Sequence, residues 1–405
     1  MRKLLSLLLV LSLLLCTSLF SCTDLPEKDK GDKDDNEVNQ KEPSKSPEDE
    51  EKEIKDMIIF LMQDDTYDPD DLVGKYFGDF YIDQFDGANP AYSKIYKLGD
   101  TLGVEYPNNQ TTYQITKNSK LFSIIRSKDG AVLNLQSEQD YPYAYPLSIF
   151  TAFGIDMSAA YSGEESADDE PALTHDMITL STTKNEAVFS KDYLDGIAKS
   201  LCASFELDDA ALNKFLSEMS AVGIFNVVTM SADFSIEGSI DGVGKVKFET
   251  EFVFEKTKPS RITSSFQIDE TVDGNPATNK VVTTQSFTYN GKEMASVLIE
   301  NQTISSQDSA ALDYTTTIDS TYLFKLKDSK PEVFSIENKA MYTMTIAGLV
   351  QQSETVVGIK LGNKELTYKM TVDGVQQAEI IAKNAVINTP ENITIPEDIY
   401  TVLPK

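Results

Sequence analysis

The second half of the chain alternates strictly between apolar and polar residues. From Asn226 onward about ten runs have this period, for example residues 230–237, 246–254 and 314–326. Successive side chains of a β-strand point to opposite faces of a sheet, so such runs are typical of antiparallel strands with one apolar and one solvated face. The pattern therefore predicts a large, one-faced antiparallel sheet.

We expect this sheet to be strongly curved. An open, twisted sheet of about ten strands tends to curl or split, and curling with the apolar face inward creates a concave apolar surface. The large residues of that face are candidates to line a ligand cavity: Phe234, Ile236, Phe248, Phe252, Phe266, Tyr322 and Phe324. The same residues form an ordinary core if covering helices fill the concavity.

Two amphipathic helices are predicted immediately before the sheet. Apolar residues recur at three- and four-residue steps in residues 190–205, and again between Asp208, a predicted N-cap, and Gly223. We expect the two helices to form a lid over the apolar face, with these candidate lid residues: Leu201, Phe205, Phe215 and Met219. Cys202 belongs to the apolar pattern of the first helix, which indicates a buried structural thiol.

The first half of the chain has a mixed pattern. Residues 50–63 predict a helix, and the short apolar runs that follow, separated by turn residues, predict strands. We expect a smaller N-terminal α+β lobe over residues 50–161, an acidic connector over residues 162–188, and the helix pair with the large sheet over residues 189–405. The predicted fold class is α+β, mainly antiparallel β, with a half-barrel sheet covered by two helices.

The charge of the chain excludes nucleic acid as a partner. Of 405 residues, 65 are acidic and 36 are basic, which gives a formal net charge of −29. Binding to nucleic acid requires a basic surplus that neutralises phosphates, and this chain has the opposite balance. No cofactor is predicted, because the sequence has neither a phosphate-binding glycine loop nor a Cys/His zinc spacing.

The N-terminus predicts secretion and lipid anchoring. Basic residues at positions 2 and 3 precede an apolar run, as in a secretory signal peptide. The run ends in Leu19-Phe20-Ser21-Cys22, which resembles the lipobox of bacterial lipoproteins. The resemblance implies that residues 1–21 are removed and that a lipid on Cys22 is the attachment to the membrane, without a spanning helix.

Residues 22–49 are rich in Asp, Glu, Lys, Ser and Pro. Such a segment cannot offset its ordering entropy by apolar burial, so we expect a disordered acidic tether. Together with the lipobox, it predicts an extracytoplasmic protein, lipid-anchored to the bacterial cell membrane or outer membrane.

Residues 222–255 lead from a helix into a strand, an Asp-Gly turn and a second long strand, and residues 393–399 predict a closing strand. This arrangement is similar to the LolA/LppX-like half-barrel superfamily of lipoprotein and lipid carriers. The resemblance implies that acyl chains bind the concave apolar face beneath a helical lid. It fixes no individual ligand-binding residue.

Candidate catalytic and metal-binding residues are few. His175 is the only histidine, and a lone imidazole cannot complete a nucleophile–base–orienter set. The acidic segment 64–71 is either a calcium site or, as we prefer, a solvated loop, because the EF-hand glycine and final glutamate are missing. Tyr141, Tyr143 and Tyr145 either stack on a sugar or peptide or, as we prefer, pack at the lobe edge. We predict neither enzyme activity nor a metal site.

Two functions remain open. In the preferred hypothesis, the lipoprotein binds a lipid or other apolar ligand in the concave face of the sheet. In the alternative, it is a cell-surface structural or protein-interaction lipoprotein with a filled core and no small-molecule ligand. A sugar or peptide receptor is disfavoured, because those receptors alternate helices with parallel strands. The volume left empty over the apolar face distinguishes the two functions, because small-molecule pockets start at about 300 Å³.

Overall fold

The computed structural model describes residues 46–404 apart from 64–77, 88–89, 119, 128, 131–132, 141–146, 148, 154–171, 182, 204, 206, 292, 310–311, 328–329, 347, 363 and 388–392. Its helices are α1 (Pro47–Gln63), α2 (Ile149–Ala152), α3 (Lys191–Ala203) and α4 (Asp209–Glu218), and single 3-10 segments span His175–Met177 and Glu397–Val402.

The remaining elements are strands. Eight strands precede α3, and a ninth directly follows α4: β1 (Phe80–Asp86), β2 (Lys94–Leu98), β3 (Thr101–Glu105), β4 (Thr111–Lys117), β5 (Lys120–Arg126), β6 (Leu133–Asp140), β7 (Ile178–Ser181), β8 (Glu186–Phe189) and β9 (Ser220–Asn226). Ten more follow: β10 (Ser231–Ile240), β11 (Gly244–Glu255), β12 (Lys258–Val272), β13 (Asn275–Asn290), β14 (Glu293–Gln307), β15 (Leu312–Lys327), β16 (Lys330–Ile346), β17 (Leu349–Gly362), β18 (Glu365–Val372) and β19 (Val375–Ile387).

All nineteen strands belong to one antiparallel sheet. Strands β7 to β19 each pair with the next in sequence, β1 pairs with β19, and β2 to β6 continue from β1. The prediction of a mainly antiparallel β protein is therefore confirmed. The N-terminal strands extend the same sheet as the C-terminal strands, through the β1–β19 pair.

The sheet is not strongly curled, and in this respect the prediction of a half-barrel is corrected. Bulges are the devices that bend strands. In the long strands they lie near strand ends, at Val253/Phe254, Thr288/Tyr289 and Lys325/Leu326. The strand interiors therefore keep an unbroken register. The edge strands are β6, which pairs with β5, and β7, which pairs with β8; no register joins β6 to β7 in the described part of the chain.

Helices α3 and α4 pack on one face of the sheet, which we call the inner face; the opposite face is the outer face. The predicted N-cap of α4 is confirmed, because an Asp208 carboxylate oxygen accepts a hydrogen bond from the Ala211 amide at 2.8 Å. The helix ends before Met219, and the residues that follow, up to the predicted stop at Gly223, form part of β9 instead.

Helix α1 begins earlier than predicted. Its first residue is Pro47 instead of Glu50, and the Asp49 amide donates a hydrogen bond to the Ser46 hydroxyl at 3.2 Å. Serine followed by proline at the first helical position is a favourable helix start. The last residues of the segment predicted as tether are therefore helical.

Candidate functional site

The seven predicted cavity-lining residues lie together on the inner face, and all are buried. None of their side chains is more than 4% exposed, and all seven belong to one continuous apolar core. Their rings contact one another, with centroid distances of 6.1 Å between Phe234 and Phe252 and 6.3 Å between Phe248 and Phe266. The described residues thus place these side chains in a packed core.

The predicted lid residues fill the space over this part of the sheet. Leu201 and Phe215 are buried, and Phe205 and Met219 are half-buried. The Phe205 ring lies 6.1 Å from the ring of Phe266 on β12. Phe215 lies directly on β10, where a Cβ added at Gly238 would be only 2.4 Å from its ring. The helices therefore contact the sheet directly at these positions.

A row of polar residues crosses the inner face, which sequence analysis did not anticipate. Cross-strand register places one such residue on each of six consecutive strands from β11 to β16: Thr250, Ser264, Thr283, Asn301, Ser320 and Asn338. The first five are buried. Thr250 donates to Ser264 at 3.2 Å, and Asn301 donates to Thr283 at 2.8 Å. In the sequence, each of these residues occupies a position of an alternating run that faces inward. This position is the signal that could have identified the polar row.

One buried amide on the inner face has no hydrogen-bond partner. Gln285 on β13 is 0% exposed, and neither its Oε1 nor its Nε2 is paired. Its cross-strand neighbours are Ile262 and Ile299, both buried. A buried polar group that lacks a partner is costly, so Gln285 is a weak point of the core.

The outer face carries two shallow grooves. The first, of about 350 Å³, lies over β9 to β12 and is lined by acidic side chains that include Asp233, Glu249 and Glu251. Asp233 faces Glu251 directly across the β10–β11 pair. Partial burial and the Glu251 charge raise the pKa of Asp233 above its usual range. This groove therefore disfavours anionic ligands.

The second groove, of about 330 Å³, lies over β16 to β18. Gly358 forms its floor, and its charged lining residues are Glu337, Lys360 and Lys369. Lys369 is also 2.7 Å from Glu379, so this charge is already compensated. The groove is open and carries charges of both signs at its rim, unlike the enclosed apolar cavity that the sequence predicted.

The isolated candidate residues have structural roles. His175 lies at the surface, and its Nε2 is 2.7 Å from Asp56 Oδ1, which connects the 3-10 segment to α1. Burial raises the pKa of the Cys202 thiol to about 12, so the thiolate required for reactivity is disfavoured. Cys22, residues 64–71 and the three tyrosines between residues 141 and 145 lie outside the described residues, and the predictions about them stay predictions.

An exposed apolar surface lies at one end of the sheet, where β16 and β17 meet. Tyr342, Ile346 and Leu349 lie on one face of this hairpin, and Val350 lies on the other. Leu349 is 74% exposed and Val350 is 62% exposed. Large exposed apolar patches mark interaction sites on soluble proteins. Sequence analysis did not identify this surface, although the hairpin connection Ala347-Gly348 is unusually apolar.

Within the described ranges, no cluster of three or more His, Cys, Asp or Glu side chains is arranged to hold a metal ion. None of the described helices is both long and apolar enough to cross a bilayer. No protein-family model, curated protein or solved structure matches this chain.

Proposed function

We propose that this chain is an extracytoplasmic, lipid-anchored, non-enzymatic lipoprotein whose folded part serves protein interaction, with a filled core and no small-molecule ligand. The observation that carries the proposal is the burial of the predicted cavity residues. All seven are at most 4% exposed and form a core in contact with one another, and the helices above them touch the sheet.

The surface supports the same conclusion. Of the eleven large apolar side chains that are exposed among the described residues, four lie at the end of the β16–β17 hairpin: Tyr342, Ile346, Leu349 and Val350. Burying apolar surface of this kind stabilises complexes by about 25 cal/mol per Å² before the costs of association. The exposed apolar side chains can contact another chain, whereas the apolar side chains of the filled core are not accessible to a ligand.

Binding of a lipid beneath the lid remains the second candidate function. The observation in its favour is the large apolar core on the inner face, part of which lies under α3 and α4. It requires the strongly curved half-barrel, or an outward movement of the helices that exposes Phe234, Phe248 and Phe266. Both requirements add a step that the interaction hypothesis does not need.

Two measurements test the proposal. In the first, cells grown with labelled palmitate should incorporate the label into the protein and into its Cys16→Ser variant, but not into the Cys22→Ser variant. Label that persists in Cys22→Ser would contradict anchoring at Cys22.

In the second measurement, the chain from residue 23 onward, which lacks the signal segment and Cys22, is purified without detergent and weighed by native mass spectrometry. We expect the mass of the protein alone and no uptake of a fluorescent fatty acid. A lipid-sized adduct removable by organic solvent would instead establish the carrier function. Phe248→Ala is the matched control for small packing defects: its cavity, of about benzene size, should take up benzene but no fatty acid.

A further inference from the structure

The end of the β16–β17 hairpin projects beyond its neighbouring strands. Strand β17 pairs with β18 only from Thr355 onward, where Thr355 faces Val372. The next contact is made by Asp373, whose amide donates to the Glu354 carbonyl at 2.7 Å. Among the described residues, the segment Leu349 to Ser353 therefore has a strand neighbour on the β16 side alone. We call this segment the open edge; it is about 17 Å long at 3.3 Å per residue.

The direction of the free backbone groups follows from Glu354. Its amide donates to an Asp373 carboxylate oxygen at 2.7 Å and its carbonyl accepts from the Asp373 amide, so both groups point toward β18. Backbone groups of alternate residues in a strand point to the same side. The register of β16 and β17 is unbroken here, so the amides and carbonyls of Val350 and Gln352 also point away from β16. The open edge thus offers two donors and two acceptors to a further strand.

The side chains around the open edge carry no charge. Residues 340–353 contain no Asp, Glu, Lys or Arg, in a chain whose formal net charge is −29. Each of the other eight connections between consecutive strands from β10 to β19 contains at least one charged residue, but the β16–β17 connection is Ala347-Gly348. Natural proteins usually protect sheet edges with charges, prolines or bulges, and this edge has none of these.

The free backbone groups decide what kind of partner fits. A lipid phase cannot satisfy them, since open sheet edges do not occur in hydrocarbon, whereas a strand satisfies all four. The geometry of the edge selects a second copy: in antiparallel self-pairing, Val350 of one copy lies opposite Gln352 of the other, and all four backbone groups are satisfied. The absence of charge at this edge lets two copies approach there, although their net charge opposes contact over most other surfaces. An edge that pairs antiparallel with itself also gives the two-fold symmetry most common in oligomers.

We propose that the open edge, Leu349 to Ser353, pairs with the open edge of a second copy of this chain, so that two sheets join at a two-fold axis. Pairing of the short edges covers much less surface than the roughly 1,200 Å² of a stable interface, so the dimer is weak in dilute solution. Confinement on one membrane raises the effective concentration of the copies. The expectation that dimers form in cells therefore rests on the lipid anchoring proposed above.

Cysteine cross-linking in cells that express the full chain tests the pairing. Val350→Cys places a thiol on the open edge, and Val228→Cys places one at the opposite end of the sheet; the two valines are 62% and 71% exposed. With a short bis-maleimide, we expect about tenfold more cross-linked dimer from Val350→Cys than from Val228→Cys. Adding Leu349→Asp should remove the excess, because a charge on an edge opposes strand pairing.

Equal dimer yields from the two cysteine variants would overturn the proposal, and so would a Val350→Cys adduct with a protein of different mass. The same two cysteine variants, made in the purified chain from residue 23 onward and cross-linked at high concentration, test edge pairing without the lipid anchor. An excess of Val350→Cys dimer there supports edge pairing even where palmitate labelling shows that Cys22 is not acylated. Equal yields there overturn edge pairing even where labelling confirms the anchor.

Discussion

Replacing Gln285 by methionine should make the protein more stable. The side chain is 0% exposed, its two polar atoms have no partner, and its cross-strand neighbours are Ile262 and Ile299. A buried, unpaired polar group costs about 1–3 kcal/mol in the folded state. Methionine has a similar size and shape and needs no hydrogen bond, so Gln285→Met removes this cost without a large change in packing.

Urea unfolding followed by tyrosine fluorescence measures the effect. With an m-value of about 3 kcal/mol/M, a gain of about 1–3 kcal/mol raises the midpoint by about 0.3–1 M. The matched control is Gln302→Met on the outer face of β14, where the amide is exposed and donates to Asp319 at 2.8 Å. Its stability should change by less than about 0.5 kcal/mol. If Gln285→Met lowers the midpoint, the amide has a partner in solution and the reasoning is wrong.

Three further predictions concern the lid, the outer groove and the thiol. Gly238→Ala should lower the free energy of unfolding by about 1–3 kcal/mol, because its Cβ would lie 2.4 Å from the Phe215 ring. The control is Gly358→Ala, whose Cβ meets nothing within 3.8 Å. In the same urea titration, its free energy of unfolding should change by less than about 0.5 kcal/mol. Asp233 has a raised pKa, so the folded state binds its proton more tightly and stability falls as pH rises through that pKa. Asp233→Asn should therefore raise the urea midpoint at pH 7 but not at pH 3, and an equal gain at both values would refute the electrostatic cause. Cys202, whose pKa burial raises to about 12, should resist iodoacetamide at pH 8 in native protein and react in urea, as read by peptide mass spectrometry; rapid native labelling would show that the site opens.

The alternating pattern predicted the strands well because it records which side chains face the core. Residues 246–254 predicted most of β11, and Phe248 and Phe252 are buried as expected. The same pattern places Thr283, Asn301 and Ser320 at inward positions, but it does not show whether polar residues there are buried. Their burial depends on partners in adjacent strands, which are set by register.

The candidate site was predicted less well, for a related reason. Alternation shows that Phe234 and Phe266 share a face, but not whether the helices leave a gap above them. That depends on side chains such as Phe205 and Phe215, whose positions are set by helix packing. The projection of the β16–β17 hairpin was also beyond the pattern, because it results from where β18 begins, at Glu365, and ends, at Val372.

The pairing of β1 with β19 has a consequence for how the chain folds during synthesis. Phe80 lies opposite Ile387, so these two residues are separated by about 300 positions in the sequence. Such long-range contacts are slow to form, because the entropy of closing a long loop is lost before the contact is made. The N-terminal strands β1 to β6 are synthesised first, yet the neighbour of β1 is the last strand to be made. Until then β1 has an unpaired edge, and any truncation before β19 would leave it in that aggregation-prone state permanently.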